Sequence, residues 1–134
     1  MPITAHSPKL ALLADAAASG ATGLVMAAGS APLSELLNIP QPLLLWAGLA
    51  LLPFALLVVA TARRSVPDRS SVIAIVVVNV LWTIASFAIL ALLPSAPTLL
   101  GMAFVILQST VVGAFAILQF RLVGAAARIA ASAA

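Results

Sequence analysis

The feature that most constrains the fold is an uncharged run at residues 71–93, SVIAIVVVNVLWTIASFAILALL. As an α-helix these 23 residues would be about 34 Å long, enough to cross a hydrocarbon core of about 30 Å. The run therefore predicts a transmembrane helix. Asn79 lies about 12 Å from its start, where an amide needs a hydrogen-bond partner on another helix. We therefore expect the rest of the chain to supply partner helices.

The composition excludes an ordinary soluble protein. The chain is 64% hydrophobic and 7% charged, whereas soluble domains carry about 25% charged residues. No hydrophilic stretch is long enough for a second domain, so residues 1–134 are predicted to form one membrane domain. Six Lys and Arg outnumber three acidic residues, but the basic residues lie at the ends of predicted helices. This placement indicates membrane topology and gives no reason to expect nucleic-acid binding.

Four spans are predicted in all, at residues 10–28, 42–62, 71–93 and 98–121. Residues 31–39, with prolines near both ends and an apolar set of leucines and an isoleucine, predict a short interfacial helix. The alternative for the first span is a signal peptide, but Asp15 interrupts its apolar core and a proline would follow the cleavage site. The predicted fold class is an all-α membrane protein, a four-transmembrane-helix bundle made of two hairpins.

The basic residues all fall on one side of this arrangement. Lys9, the 63–69 loop and the pair Arg121 and Arg128 share that side, while the two opposite loops contain no Lys or Arg. The positive-inside rule therefore predicts that both termini and the middle loop are cytoplasmic. The loop arginines are candidate contacts for lipid headgroups or a partner; the alternative is that they only set orientation. These residues are Arg63, Arg64 and Arg69.

Polar side chains recur at helical spacing in three of the four spans. Because successive residues turn by about 100°, each set falls on one face of its helix, which predicts a shared polar seam inside the bundle. Small residues at four-residue spacing in the first span allow close helix approach and predict that this helix is central. The candidate seam residues are Asp15, Ser19, Thr22, Asn79, Thr83, Ser86, Gln108 and Gln119.

Two groups in this seam admit both a functional and a structural interpretation. Asp15 is either a titratable group for proton or cation coupling, or a hydrogen-bonded structural acid facing Gln119 or paired with Arg121. Asn79 and Gln108 are both placed near mid-membrane, so a hydrogen bond between them is predicted. That bond either holds two helices together or orients a polar solute.

The chain offers little for catalysis. It contains no cysteine, and its single histidine is His6, so thiolate and histidine metal sites are not expected. It has no Gly-rich phosphate loop, no nucleophile with a base at fixed spacing and no paired catalytic carboxylates. We expect no enzyme, no cofactor and no metal. Two hypotheses remain: an accessory or assembly subunit of a membrane complex or a homo-oligomer, and a small proton-coupled transporter or lipid- or hydrophobic-ligand-binding bundle.

Several segments together resemble a known group of proteins. The stretches LSELLNIP, WAGLALLPFALL, NVLWTIASFAIL and GMAFVILQ are similar to the small four-span bacterial integral membrane proteins of the DoxX-like grouping. The resemblance implies a four-helix bundle in a bacterial inner membrane. Some members of the grouping are linked to quinone-dependent sulfur oxidation, but this chain has no cysteine and no quinone or metal constellation. The partners expected are the lipid bilayer and other membrane subunits or a second copy.

Overall fold

The helices account for nearly all of residues 6–133, the part of the chain that the computed structural model describes. Four of the helices are long and apolar enough to cross a membrane, and no strand occurs in this part of the chain. The prediction of an all-α fold with four helices able to span a membrane is thereby confirmed for this part of the chain. The helices are α1 His6–Ala28, α2 Ser30–Leu37, α3 Gln41–Ala62, α4 Arg69–Leu92 and α5 Leu99–Ala133.

The helix α2 is more deeply packed than an interfacial segment was expected to be. Asn38 follows it with φ 52° and ψ 48°, a left-handed conformation that asparagine tolerates better than most residues and that ends the helix. Leu37 and Ile39, on either side of this turn, are buried in an apolar cluster with residues of α1, α3 and α5. Glu35 and Leu36 remain exposed. The prediction that the whole apolar set lies against the bilayer is therefore wrong for Leu37 and Ile39.

The start of α4 is set by Asp68, three residues before the predicted span. Asp68 Oδ2 accepts hydrogen bonds from the Ser71 backbone N at 2.9 Å and from Ser71 Oγ at 2.6 Å, which satisfies an orphan donor of the first turn. The bonds from Ser71, with smaller contributions from Ser70 and the charge of Arg64, hold the pKa of Asp68 below its ordinary value. The helix therefore begins directly at the basic loop.

The last helix continues well past residue 121, where the predicted membrane span ends. It contains 35 residues, about 52 Å at the standard helical rise, whereas α4 contains 24, about 36 Å. The Ala-rich sequence after residue 121 favours helix, so no signal interrupts it. One end of α5 therefore extends beyond a hydrocarbon core of about 30 Å.

The long helices pack as two pairs. Helix α1 packs most extensively against α3, and α4 against α5; the pairs meet mainly through α1 and α5, while α3 and α4 touch sparsely. The close approach within the first pair depends on two glycines. A Cβ on Gly48 would lie 2.7 Å from the Ala27 backbone N and 2.8 Å from the Gly23 carbonyl oxygen. The two helices therefore pack backbone against backbone at this level.

The two pairs are also tied together at the end opposite the basic loop. Asn38 Nδ2 donates to the Ala96 carbonyl oxygen at 2.8 Å. The Thr98 backbone N donates to the Leu37 carbonyl oxygen at 3.0 Å, and Thr98 Oγ1 donates to the Leu36 carbonyl oxygen at 2.9 Å. These bonds connect the turn after α2 to the turn before α5, so both connections at this end form one joined surface.

Candidate functional site: a buried carboxylate beside an interhelical cavity

A buried carboxylate joins three helices near the middle of the bundle. Gln119 Nε2 donates to Asp15 Oδ2 at 2.7 Å, and Asn79 Nδ2 donates to the same oxygen at 2.8 Å. Ser19 Oγ donates to Asp15 Oδ1 at 3.0 Å, and Asn79 Nδ2 also lies 3.2 Å from Gln119 Oε1. These four residues, which we call the Asp15 network, come from α1, α4 and α5 and are each at most 5% exposed.

The Asp15 network lies deep in the bundle, and its polar side chains all have hydrogen-bond partners. Asp15 lies nine residues into α1 and Asn79 ten residues into α4, about 13 and 15 Å from the helix starts. At this depth in a bilayer no water competes, so each polar group needs a protein partner. Within the described residues every buried side-chain nitrogen and oxygen has one. The network therefore connects the two helix pairs through hydrogen bonds in an apolar surrounding.

Two of the predicted pairings involving this region are settled by the geometry. Asp15 faces Gln119, as one form of the structural interpretation proposed, whereas Arg121 is exposed. Two residues turn a helix by about 200°, so Arg121 and Gln119 project from opposite sides of α5. A pairing of Asp15 with Arg121 is therefore excluded by the same geometry that brings Gln119 inward.

The predicted bond between Asn79 and Gln108 is wrong. Gln108 Oε1 instead accepts from Trp82 Nε1 at 2.9 Å, and Gln108 Nε2 donates to Ser86 Oγ at 3.1 Å and to Ser109 Oγ at 2.9 Å. Gln108 is thus level with Trp82 and Ser86, one to two helical turns beyond Asn79. Counted from the turn between the two helices, Gln108 lies nine residues into α5 and Asn79 thirteen residues before the end of α4. Asn79 is therefore about 6 Å farther from the turn than Gln108.

Two cavities lie between the helix pairs. One, of about 110 Å³, which we call the outer cavity, lies near α2 and separates α3 from α4. The other, of about 250 Å³, which we call the central cavity, lies between α1 and α5. Trp82, Phe104 and Gln108 line both. Ser19 lines the central cavity and also donates to Asp15, so it joins the cavity wall to the Asp15 network.

Thr22 is the hydroxyl on the cavity wall that has no partner. It is half-buried and lines the central cavity, and no hydrogen bond within residues 6–133 involves it. Other hydroxyls in the spanning helices donate to the carbonyl one turn earlier, as Thr61, Ser86 and Thr110 do. The central cavity is therefore apolar over most of its wall, with one hydroxyl available to a bound molecule.

The remaining predicted residues take other positions. Thr83 Oγ1 donates to the Asn79 carbonyl oxygen at 2.9 Å, and its side chain faces α5 and the outer surface, away from the central cavity. The three loop arginines are exposed at the basic end. These arginines are Arg63, Arg64 and Arg69.

In the described part of the chain no three His, Cys, Asp or Glu side chains are grouped to hold a metal ion.

Sequence reasoning missed one residue of this region, Ser109, and one hydrogen bond, that of the Trp82 indole. Ser109 is fully buried and accepts from Gln108, and the Trp82 indole is hydrogen-bonded to Gln108. A usable signal existed for the tryptophan, because an indole N–H inside a membrane requires an acceptor on a neighbouring helix. Ser109 carried no comparable signal, since a serine that bonds its own helix needs no partner elsewhere.

Comparison with protein-family models, with curated proteins and with solved structures finds no match to this chain.

Proposed function

We propose that this protein binds a small apolar molecule carrying one hydrogen-bonding group, in the central cavity between its two helix pairs. The observation that carries the proposal is the Thr22 hydroxyl, which has no hydrogen-bond partner within residues 6–133 and lies on a mainly apolar wall. Ligand sites are typically apolar, with a few placed polar groups that orient the ligand. Of the two hypotheses drawn from the sequence, the hydrophobic-ligand-binding bundle is therefore the better supported.

The size of the cavity supports the same proposal. An engineered apolar cavity of about 150 Å³ in another protein binds benzene, and the central cavity is about 250 Å³. It therefore accommodates a substituted aromatic ring or a short branched chain. The Trp82 indole N–H already donates to Gln108 Oε1. Thr22 is therefore the group on the wall that is left to bond the ligand's polar atom. No catalytic step is part of the proposal.

The test uses two probes that differ by one hydroxyl, 4-bromophenol and bromobenzene. In a Trp46→Phe background the sole tryptophan is Trp82, whose fluorescence is quenched by a bromine bound in the cavity. We expect saturable quenching by both probes. Thr22→Val keeps the side-chain shape and removes the hydroxyl, so it should weaken 4-bromophenol binding about three- to tenfold, the range of one hydrogen bond, and change bromobenzene binding less than twofold.

The matched control is Thr110→Val. Thr110 is exposed on α5, and its hydroxyl already donates to the Ile106 carbonyl oxygen at 2.7 Å, so the same substitution there should leave both probes unaffected. Ala18→Leu fills the cavity from α1 and should abolish saturable quenching, whereas Ala17→Leu on the exposed face should not. Quenching that rises linearly without saturation, or equal effects of the two threonine variants, would contradict the proposal.

The location and orientation form part of the same proposal. The resemblance to DoxX-like four-span proteins and the clustering of basic residues at one end support a bacterial inner membrane, with both termini and the 63–69 loop cytoplasmic. The loop arginines then face the cytoplasmic headgroups. Coupling of ligand binding to a proton at Asp15 is the transporter form of the hypothesis, and it is supported by the link from Asp15 through Ser19 to the cavity.

A second candidate function is that of an accessory subunit or a homo-oligomer. It is favoured by the outer face of α3, where Trp46 is 68% and Leu56 71% exposed, a large apolar surface that another helix would cover as well as lipid does. Blue-native electrophoresis of the protein in mild detergent should then show a species larger than the monomer, and its mobility should shift on Leu56→Gln. A lone monomer would remove this candidate.

A further inference from the structure

A groove on the outer surface of α4 and α5 ends at a basic residue. Its walls are mainly apolar side chains of the two helices, together with Thr83, and its volume is about 490 Å³. On α4 it runs from residue 76 to residue 84, about 12 Å, and Arg121 stands at the end nearer the basic loop. The apolar residues that line it include Val76, Val80, Ile84, Gly113, Ile117 and Phe120.

Arg121 has no acidic partner to explain its position. The chain contains three acidic residues. Asp15 is enclosed by the Asp15 network on the opposite side of α5, Glu35 belongs to α2 at the other end of the bundle, and Asp68 is bonded to Ser70 and Ser71. An arginine at the edge of a hydrocarbon core extends its guanidinium toward the headgroups and binds phosphate well.

We propose that this groove binds an anionic phospholipid, with one acyl chain along the α4 and α5 walls and the lipid phosphate on Arg121. Charge complementarity at one end and an apolar channel from that end match the two parts of such a lipid. Gly113 deepens the channel, since the nearest atom to a Cβ built there is a Thr83 methyl at 3.5 Å, so the position has room for a side chain that it does not carry. The site is separate from the cavities between the helix pairs.

The test is native mass spectrometry of the delipidated protein with lipids of identical acyl chains. We expect phosphatidylglycerol to form at least threefold more one-lipid complex than phosphatidylcholine. Arg121→Gln should remove this preference without reducing phosphatidylcholine binding, and Arg121→Lys should keep part of it because the charge is retained. The control is Arg128→Gln, seven residues later on α5 and outside the groove, which should preserve the preference.

A second comparison separates a lipid from a free phosphate. Glycerol phosphate, which has the headgroup chemistry without acyl chains, should not compete with phosphatidylglycerol at equal concentration. Equal binding of the two lipids by the unmodified protein, equal losses in Arg121→Gln and Arg128→Gln, or effective competition by glycerol phosphate would each overturn the proposal.

Discussion

Asp15→Ala should lower the free energy of unfolding by about 2 to 3 kcal/mol, the cost of leaving a buried polar group unpaired. The variant removes the acceptor for Gln119 Nε2 and the shorter of the two acceptor contacts of Asn79 Nδ2, at a depth where water cannot replace them. Transmembrane hydrogen bonds average about 0.6 kcal/mol each, so a small loss would mean that the helices relax to find other partners. Chemical unfolding in a fixed detergent, followed by circular dichroism, measures the change.

Asp15→Asn is the matched variant, because it keeps the side-chain shape and replaces the carboxyl group with an amide. Its Oδ1 can accept from Asn79 and Gln119 at the position of Asp15 Oδ2, while its Nδ2 can donate to Ser19 Oγ. We expect stability within about 1 kcal/mol of the unmodified protein. If Asp15→Asn is as unstable as Asp15→Ala, then the carboxyl group itself is required to hold the network. The same variant tests whether ligand binding is coupled to a proton at Asp15. Equal 4-bromophenol affinities of Asp15→Asn and the unmodified protein at every pH would contradict a titratable role for Asp15.

Gly48→Ala is expected to separate α1 from α3 and destabilise the protein by about 1 to 3 kcal/mol. The added methyl would lie 2.7 Å from the Ala27 backbone N and 2.8 Å from the Gly23 carbonyl oxygen, and backbone atoms cannot rotate away as a side chain can. Alanine is favoured over glycine in a helix by about 1 kcal/mol. The steric cost of the added methyl must therefore exceed that gain for the variant to be less stable than the unmodified protein. Thermal unfolding in detergent would report the balance.

Gly124→Ala supplies the control for this prediction. No atom lies within 4 Å of a Cβ at Gly124, so this variant should show the helix-propensity gain alone, neutral to about 1 kcal/mol stabilising. The informative quantity is the difference between the two variants. Equal stability of Gly48→Ala and Gly124→Ala would show that α1 and α3 are not held at the close distance described above.

The hydrophobic pattern of the sequence was sufficient to predict the four long helices, but it was insufficient to predict which residues of neighbouring helices lie at the same level. Long apolar runs predicted four spanning helices because the bilayer thickness and the helical rise together dictate their length. The inward faces were also predictable, since Asp15, Asn79 and Gln119 have no other place to satisfy their hydrogen bonds. Residue type and spacing thus limit which side of a helix is polar.

The partner of Asn79 on α5 could not be identified from residue type and spacing alone. Gln108 and Gln119 lie eleven residues apart, about three helical turns, so they share a face, and either could meet Asn79. The choice depends on where α5 begins, and that is determined by the docking of Thr98 and Gly101 on the Leu37 carbonyl after α2. This is a tertiary contact between distant parts of the chain, and no periodicity in α5 records it.

The sparse contact between α3 and α4 has a consequence for how a molecule would reach the interior. The helix pairs are connected at the Asp15 network and at the turns joined by Asn38, whereas α3 and α4 touch sparsely beside the outer cavity, which Leu43 on α3 and Ala85 on α4 line. A molecule that entered between these two helices would come from the acyl chains and not from the aqueous phase. Uptake would then depend on how strongly a compound partitions into the leaflet, and its concentration dissolved in lipid would govern occupancy.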